Sequence, residues 1–171
     1  MPKLIKDKQL VENNWLLVDS DASLESVLAM KSSQLLLPAY FWAEHKAALS
    51  ALEAEIGLWF DSSQNPALFQ QSSGETFEQF PVIALEFPIF KDGRAFSYAA
   101  LLRQQFKYQG DLRAIGEVLR DQLTYMLRCG FTSFQIADDA DEEVYLNGFS
   151  DFSENYQSTV INPVPLFRRR A

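Results

Sequence analysis

Short apolar runs alternate along the chain with longer stretches in which apolar residues recur every three or four positions, the signature of strands alternating with helices. Residues 1–12 alternate Lys with Leu and Ile and predict a short strand or an extended arm. Trp15-Leu16-Leu17-Val18 reads as a strand that ends at Asp19-Ser20-Asp21, residues suited to cap a helix. That helix covers 23–31, with Leu24, Val27 and Leu28 on one face. A further apolar run at 34–38 is followed by a predicted helix over 42–56, with Leu49, Leu52 and Ile56 aligned and Gly57 as its stop. Leu58-Trp59-Phe60 predicts a strand. Residues 61–74, rich in Ser, Gln, Asn and Pro, predict a loop with one helical turn at 66–69.

The second half is more regular. Pro81 opens Val82-Ile83-Ala84-Leu85-Glu86-Phe87, continuous apolarity of the kind found in strands covered on both faces. Lys91-Asp92-Gly93-Arg94 predicts a turn, and Ser97 is placed to cap a helix running to 105. Gly110 precedes a strand at 112–115. Gly116 and Glu117 open what reads as the longest clear helix, with Leu119, Leu123, Met126 and Leu127 on one side and Gly130 past its end. A strand over 131–137, a short helix over 139–149 with an acidic first turn, and a trailing segment over 155–171 complete the reading. This alternation with short connections defines a single α/β domain over 1–171 with a mostly parallel sheet and helices packed on it.

Composition supports folding and narrows the setting. A chain of 171 residues buries roughly 70% of its unfolded surface, enough for one self-sufficient core. A single cysteine forms no internal disulfide, and the opening MPKLIKDKQL has no signal-peptide pattern, so a cytoplasmic location is expected. No run approaches the roughly 18 consecutive apolar residues of a membrane span. The net charge of −8 opposes nucleic-acid binding. That charge is uneven, because residues 86–128 hold seven basic side chains against five acidic ones.

In parallel sheets, ligands bind beyond the carboxyl ends of the strands, beside helix N-termini. The turns at 92–97, at 116–117 and at 137–139 fall there. Asp92, Gly93, Arg94, Ser97 and Gly116 form a candidate site for sulfite, sulfate or phosphate, with Arg94 supplying charge-assisted bonds. The alternative is that Asp92 and Arg94 only tie down the turn. Arg113, flanked by Leu112 and Ala114, needs a buried partner, and Glu86 in its similar apolar setting is the expected one, in preference to a catalytic role for Glu86. Arg120 and Arg128 read as a solvated helix face. Cys129, at a helix C-terminus, reads as a structural thiol. His45 is the only histidine and stands in no Ser or Cys constellation. The acidic run 138–143 suits the first turn of a helix better than a metal, and the tail Arg168-Arg169-Arg170 reads as a solvated end. Tyr40, Phe41 and Trp42 suit either the core or a homodimer face. No metal and no cofactor is expected, since the sequence contains no G-x-G-x-x-G, Walker loop, C-x-x-C or iron–sulfur cysteine set.

The runs LEFPIFKDGRAFSYAALLR, GDLRAIGEVLRDQLTYMLRCGFTSF and DFSENYQ, with KLIKDKQLVENNW and LLLPAYFW earlier, resemble an uncharacterised bacterial family, domain-of-unknown-function family 934. Asp92, Gly93, Arg94 and Ser97 match its turn, while Lys91, Ala95 and Phe96 depart from it. The resemblance implies genes beside those of sulfite reductase, and with them an accessory role in sulfite reduction and assimilatory sulfur metabolism through the reductase or its reductant. Two alternatives stand beside it: an oxidoreductase acting on a small anionic sulfur substrate with a borrowed cofactor, and a non-catalytic protein-binding module.

Overall fold

The computed structural model describes residues 2–150 and 156–169. Residues 151–155 of the DFSENYQ run, the start of the trailing segment at 155, and Arg170 of the arginine tail lie outside these. Eight strands form one sheet: β1 (Lys3–Lys6), β2 (Gln9–Val11), β3 (Leu16–Leu17), β4 (Gln34–Pro38), β5 (Glu55–Phe60), β6 (Val82–Phe87), β7 (Asp111–Gly116) and β8 (Ser133–Ile136). Between and after them lie α1 (Leu24–Leu28), α2 (Ala39–Leu49), α3 (Pro66–Ser73), α4 (Arg94–Gln104), α5 (Leu123–Cys129), α6 (Glu142–Asn147) and α7 (Leu166–Arg169).

The strand order is β2-β1-β8-β7-β6-β5-β4-β3, with β3 to β8 parallel in chain order and the β1–β2 hairpin antiparallel against β8. The predicted arm is thus paired sheet. Its turn residues Asp7 and Lys8 both have positive φ, the conformation that two-residue hairpin loops require.

One connection fixes the shape of the sheet. The edge strands β2 and β3 are seven strand spacings apart in the hydrogen-bonding order, about 34 Å in a flat sheet. Residues 12–15 alone join Val11 to Leu16, and such a link reaches at most about 18 Å. The sheet therefore curls until its edges approach. A cavity of about 540 Å³ marks the seam, lined by Pro2, Lys3 and Val11 from one side and Leu16 and Ser32 from the other.

Sequential order with right-handed crossovers places every connecting helix on one face, which becomes the outside of the curl. The main core lies there: Leu35, Leu58, Ile83 and Leu112 meet Val27, Leu49, Leu102 and Met126. The inner face carries a second cluster of Leu36, Trp59, Val82, Ala84 and Ile115, covered by Trp15 from the 12–15 link. The continuous apolarity of 82–87 is thus explained by helices on one side and the curl itself on the other.

Two predicted helices are corrected. The helix expected over 42–56 starts at Ala39 and stops at Leu49, and Ile56 and Gly57 belong to β5. Gly57 is no helix stop: a Cβ there would lie 2.8 Å from Leu36, 2.9 Å from the Val82 carbonyl and 3.0 Å from the Trp15 ring, so its absence lets Trp15 settle on the strand. The long helix expected from Gly116 is shorter and begins later. Gly116 ends β7 with φ +85°, Glu117 N–H donates to the Phe87 carbonyl at 2.7 Å, and α5 starts only at Leu123 after a 3-10 turn. Gly130 does terminate α5 in the left-handed region. The loop at 61–74 holds more helix than expected: α3 is capped by Asn65 and closed by a left-handed Gly74.

Candidate binding site at the strand tips

The curl gathers the carboxyl ends of six parallel strands on one rim. Asp19, Ser20 and Asp21 follow β3, Asp61 and Ser62 follow β5, Glu86 stands near the end of β6, and Glu117 follows β7. Between them opens a cavity of about 500 Å³ lined by Leu17, Val18, Asp19, Ser20, Asp21, Trp59, Glu86 and Ile115. Val18 N–H continues the β4 ladder to Leu36, and its carbonyl accepts the Trp59 indole N–H at 2.9 Å. The indole is thereby fixed as a wall with its donor occupied. Glu86 reaches this rim from the inner face, and burial, then the nearby Asp61 charge, push its carboxyl above the ordinary range.

The turn at 92–97 lies on the same rim and is already furnished with an anion. The Asp92 carboxylate accepts from the Arg94 backbone N–H at 3.2 Å, from Nε at 3.0 Å and from Nη2 at 2.6 Å, while Nη2 also donates to Ser62 Oγ at 3.0 Å. Bonds from Arg94 and then Ser62 hold Asp92 well below the usual carboxylate range. The helix that starts here is capped at Gly93, not at Ser97, which is exposed inside the first turn of α4. Gly116 stands at the end of β7 rather than at a helix N-terminus, so the helix dipole expected beside it is missing.

At the opposite end of the inner face, Arg113 is 2% exposed and fully engaged. It meets Asp111 Oδ2 at 3.0 Å, Ser133 Oγ at 3.2 Å and Asn13 Oδ1 at 3.2 Å. The partner expected at Glu86 is therefore Asp111. Residues two apart on one strand share a face, and that period was the signal available in the sequence. Asp111 further accepts from Thr132 at 2.7 Å and Ser133 at 3.0 Å. Burial alone would raise its pKa, but these bonds and the Arg113 charge together hold it below the ordinary value.

Other candidates are structural in this arrangement. Arg103 donates to the carbonyls of Tyr108, Gly110 and Gly130, tying the end of α5 to the start of β7. Cys129 is a free thiol pushed up by burial. Asp141 caps α6 by accepting from Glu143 and Val144 N–H, and Glu142 pairs with Lys3 at 3.0 Å. Arg128 stacks on Tyr125. His45 departs from helical geometry within α2 and packs against Phe41. Tyr40 is exposed, whereas Trp42 is buried against Phe80. Among the described residues no group of three or more metal-ligating side chains converges, and no helix is long and apolar enough to cross a membrane. Asp19, Asp21 and Trp59 were not singled out from the sequence as site residues; two segments well apart in the chain bring them together.

Fold and rim define a curled α/β protein with a strand-tip pocket. The chain belongs to the bacterial protein family of unknown function DUF934, whose pattern matches residues 57–167. No curated protein and no solved structure matches the chain.

Proposed function

We propose that this chain is an accessory protein of sulfite reduction that works by binding, with the strand-tip mouth as its binding surface. The observation that carries the binding reading is the mouth itself, a cavity of about 500 Å³ at the carboxyl ends of parallel strands, where α/β proteins hold ligands. Its lining offers carboxyls, one serine hydroxyl and apolar walls, a set suited to holding a group rather than to nucleophilic attack, since Ser20 has no lysine or histidine beside it in that lining. The link to sulfite reduction comes from family membership and the gene neighbourhood that the resemblance implies.

Deleting the gene in its host and growing cells on sulfate as sole sulfur source tests the proposal. The expected result is lowered sulfite reductase activity in extracts and recovery of the reductase or its reductant on the tagged chain. Unchanged reductase activity together with no reductase on the tagged chain would overturn it.

A second reading, a small sulfur oxyanion at the 92–97 turn, is favoured by the exposure of Arg94, whose side chain is more than half open to solvent. Because Asp92 already neutralises Arg94, such binding is expected to be weak and salt-sensitive. Calorimetric titration of sulfite and sulfate into the protein and into Arg94→Gln checks it, and equal heats from both proteins would sink it.

A further inference from the structure

We infer that the strand-tip mouth takes a cationic group, an ammonium or guanidinium carried on an apolar stem. This names the ligand class of the site proposed above and rests on that reading.

Three acidic residues line the cavity from two sides: Asp19 and Asp21 beyond β3, and Glu86 on β6. The lining contains no lysine, arginine or histidine. Around Glu86 the charged groups are Asp61 at the tip of β5, Asp19 and Asp21 across the cavity, and Glu117 beyond β7 on the same rim. Beyond the lining, the same connections carry Arg94, held by Asp92 and Ser62, Lys91 on the loop after β6, and Arg120 after β7. Trp59 has given its indole N–H to Val18, so it has no donor for an anion. An oxyanion entering here would meet acidic residues with no cation in the lining, whereas a cation would meet its countercharge.

Two further observations shape that cation. The acidic side chains do not converge on a point that would suit a metal ion among the described residues, which favours a broader charge such as ammonium or guanidinium. The cavity far exceeds the size of either group, and Leu17, Val18, Trp59 and Ile115 supply apolar walls, so the remaining space fits a hydrocarbon stem. Such a group comes from a free small amine or from a lysine or arginine side chain on a partner protein.

The test is an NMR titration that follows the Trp59 indole N–H, assigned with Trp59→Phe. The probes are n-butylammonium, its anionic counterpart butyrate, and the peptide acetyl-Gly-Lys-Gly-amide. The expected result is movement of the Trp59 signal with both cations and not with butyrate, weakened in Glu86→Gln and, as an independent check, in Asp19→Asn/Asp21→Asn. Affinity for butylammonium should rise with pH as Glu86 ionises, and the part of that rise due to Glu86 should vanish in Glu86→Gln. Peptide binding about tenfold tighter than butylammonium assigns the cation to a protein side chain, and equal or weaker peptide binding assigns it to a free amine. Butyrate binding as well as the cations, or a Trp59 signal that no cation moves, overturns the inference. The reductase and recovery measurements above are independent of these probes, so failure here is distinct from failure of the accessory role.

Discussion

The two ends of the curled inner face treat charge in opposite ways. At the amino ends of the strands, Asp111 and Arg113 bond each other and draw in Ser133, Thr132 and Asn13. At the carboxyl ends, Glu86 shares the same face, pairs in register with Ile115, and lies among carboxylates instead of a cation. A buried ion is tolerated where neighbouring strands bring it partners, and burial without a cation leaves a carboxyl strained toward its neutral form. One end is built for cohesion, and the other keeps unspent acceptor capacity facing a cavity.

That contrast can be broken by substitution. Arg113→Met should cost up to about 3–5 kcal/mol in denaturant unfolding, because Asp111 is left buried with only the half-exposed Lys6 ammonium, 3.8 Å away, as its countercharge. Replacing both residues by apolar ones should restore most of the loss. Gly116→Ala should cost at least about 1–2 kcal/mol, since φ is left-handed there and the new Cβ would lie 2.5 Å from the Phe87 carbonyl oxygen; a shift in thermal midpoint reads it. Glu86→Gln should leave the fold intact and change the pH dependence of stability. Because the folded-state pKa of Glu86 is raised, its contribution favours the folded state at low pH and is lost as pH rises through that value. The variant should therefore gain on the parent as pH rises from the carboxylate range toward neutrality, as urea midpoints across pH would show. Arg94→Ala, removing an exposed pair, should change the thermal midpoint least. If Arg113→Met were no more damaging than Glu86→Gln, the distinction between the ends would fail.

Asp111 adds an acid limit to the cohesive end. Its folded pKa is depressed, so the stability it contributes is present above the ordinary carboxylate value and is lost as pH falls through the depressed one.

Local patterns were most legible where burial on both faces left an uninterrupted apolar run. Residues 34–38, 82–87 and 112–115 fall within strands for that reason. Legibility failed where a pattern ran across a boundary. Leu49, Leu52 and Ile56 keep helical spacing although the helix ends at Leu49, and only the pairing of Ile56 with Leu35 reveals the strand. Gly57 looked like a stop because the Trp15 ring that requires it comes from another part of the chain. Glu86 and Arg113 each signalled a need for a partner, but strand register decided which carboxylate was near. The Asp92–Arg94 turn was legible as a tied-down turn, whereas the mouth depends on a curl that only the strand order shows.

The β1–β2 hairpin also bears on how the chain is made. Ile5 pairs with Phe134, about 130 residues later, so β1 and β2 can pair with each other early but join the rest of the sheet only once β8 has been made. Docking of this hairpin is a long-range closure, slow by contact order, and until it occurs the nascent chain exposes the β8 edge to intermolecular pairing.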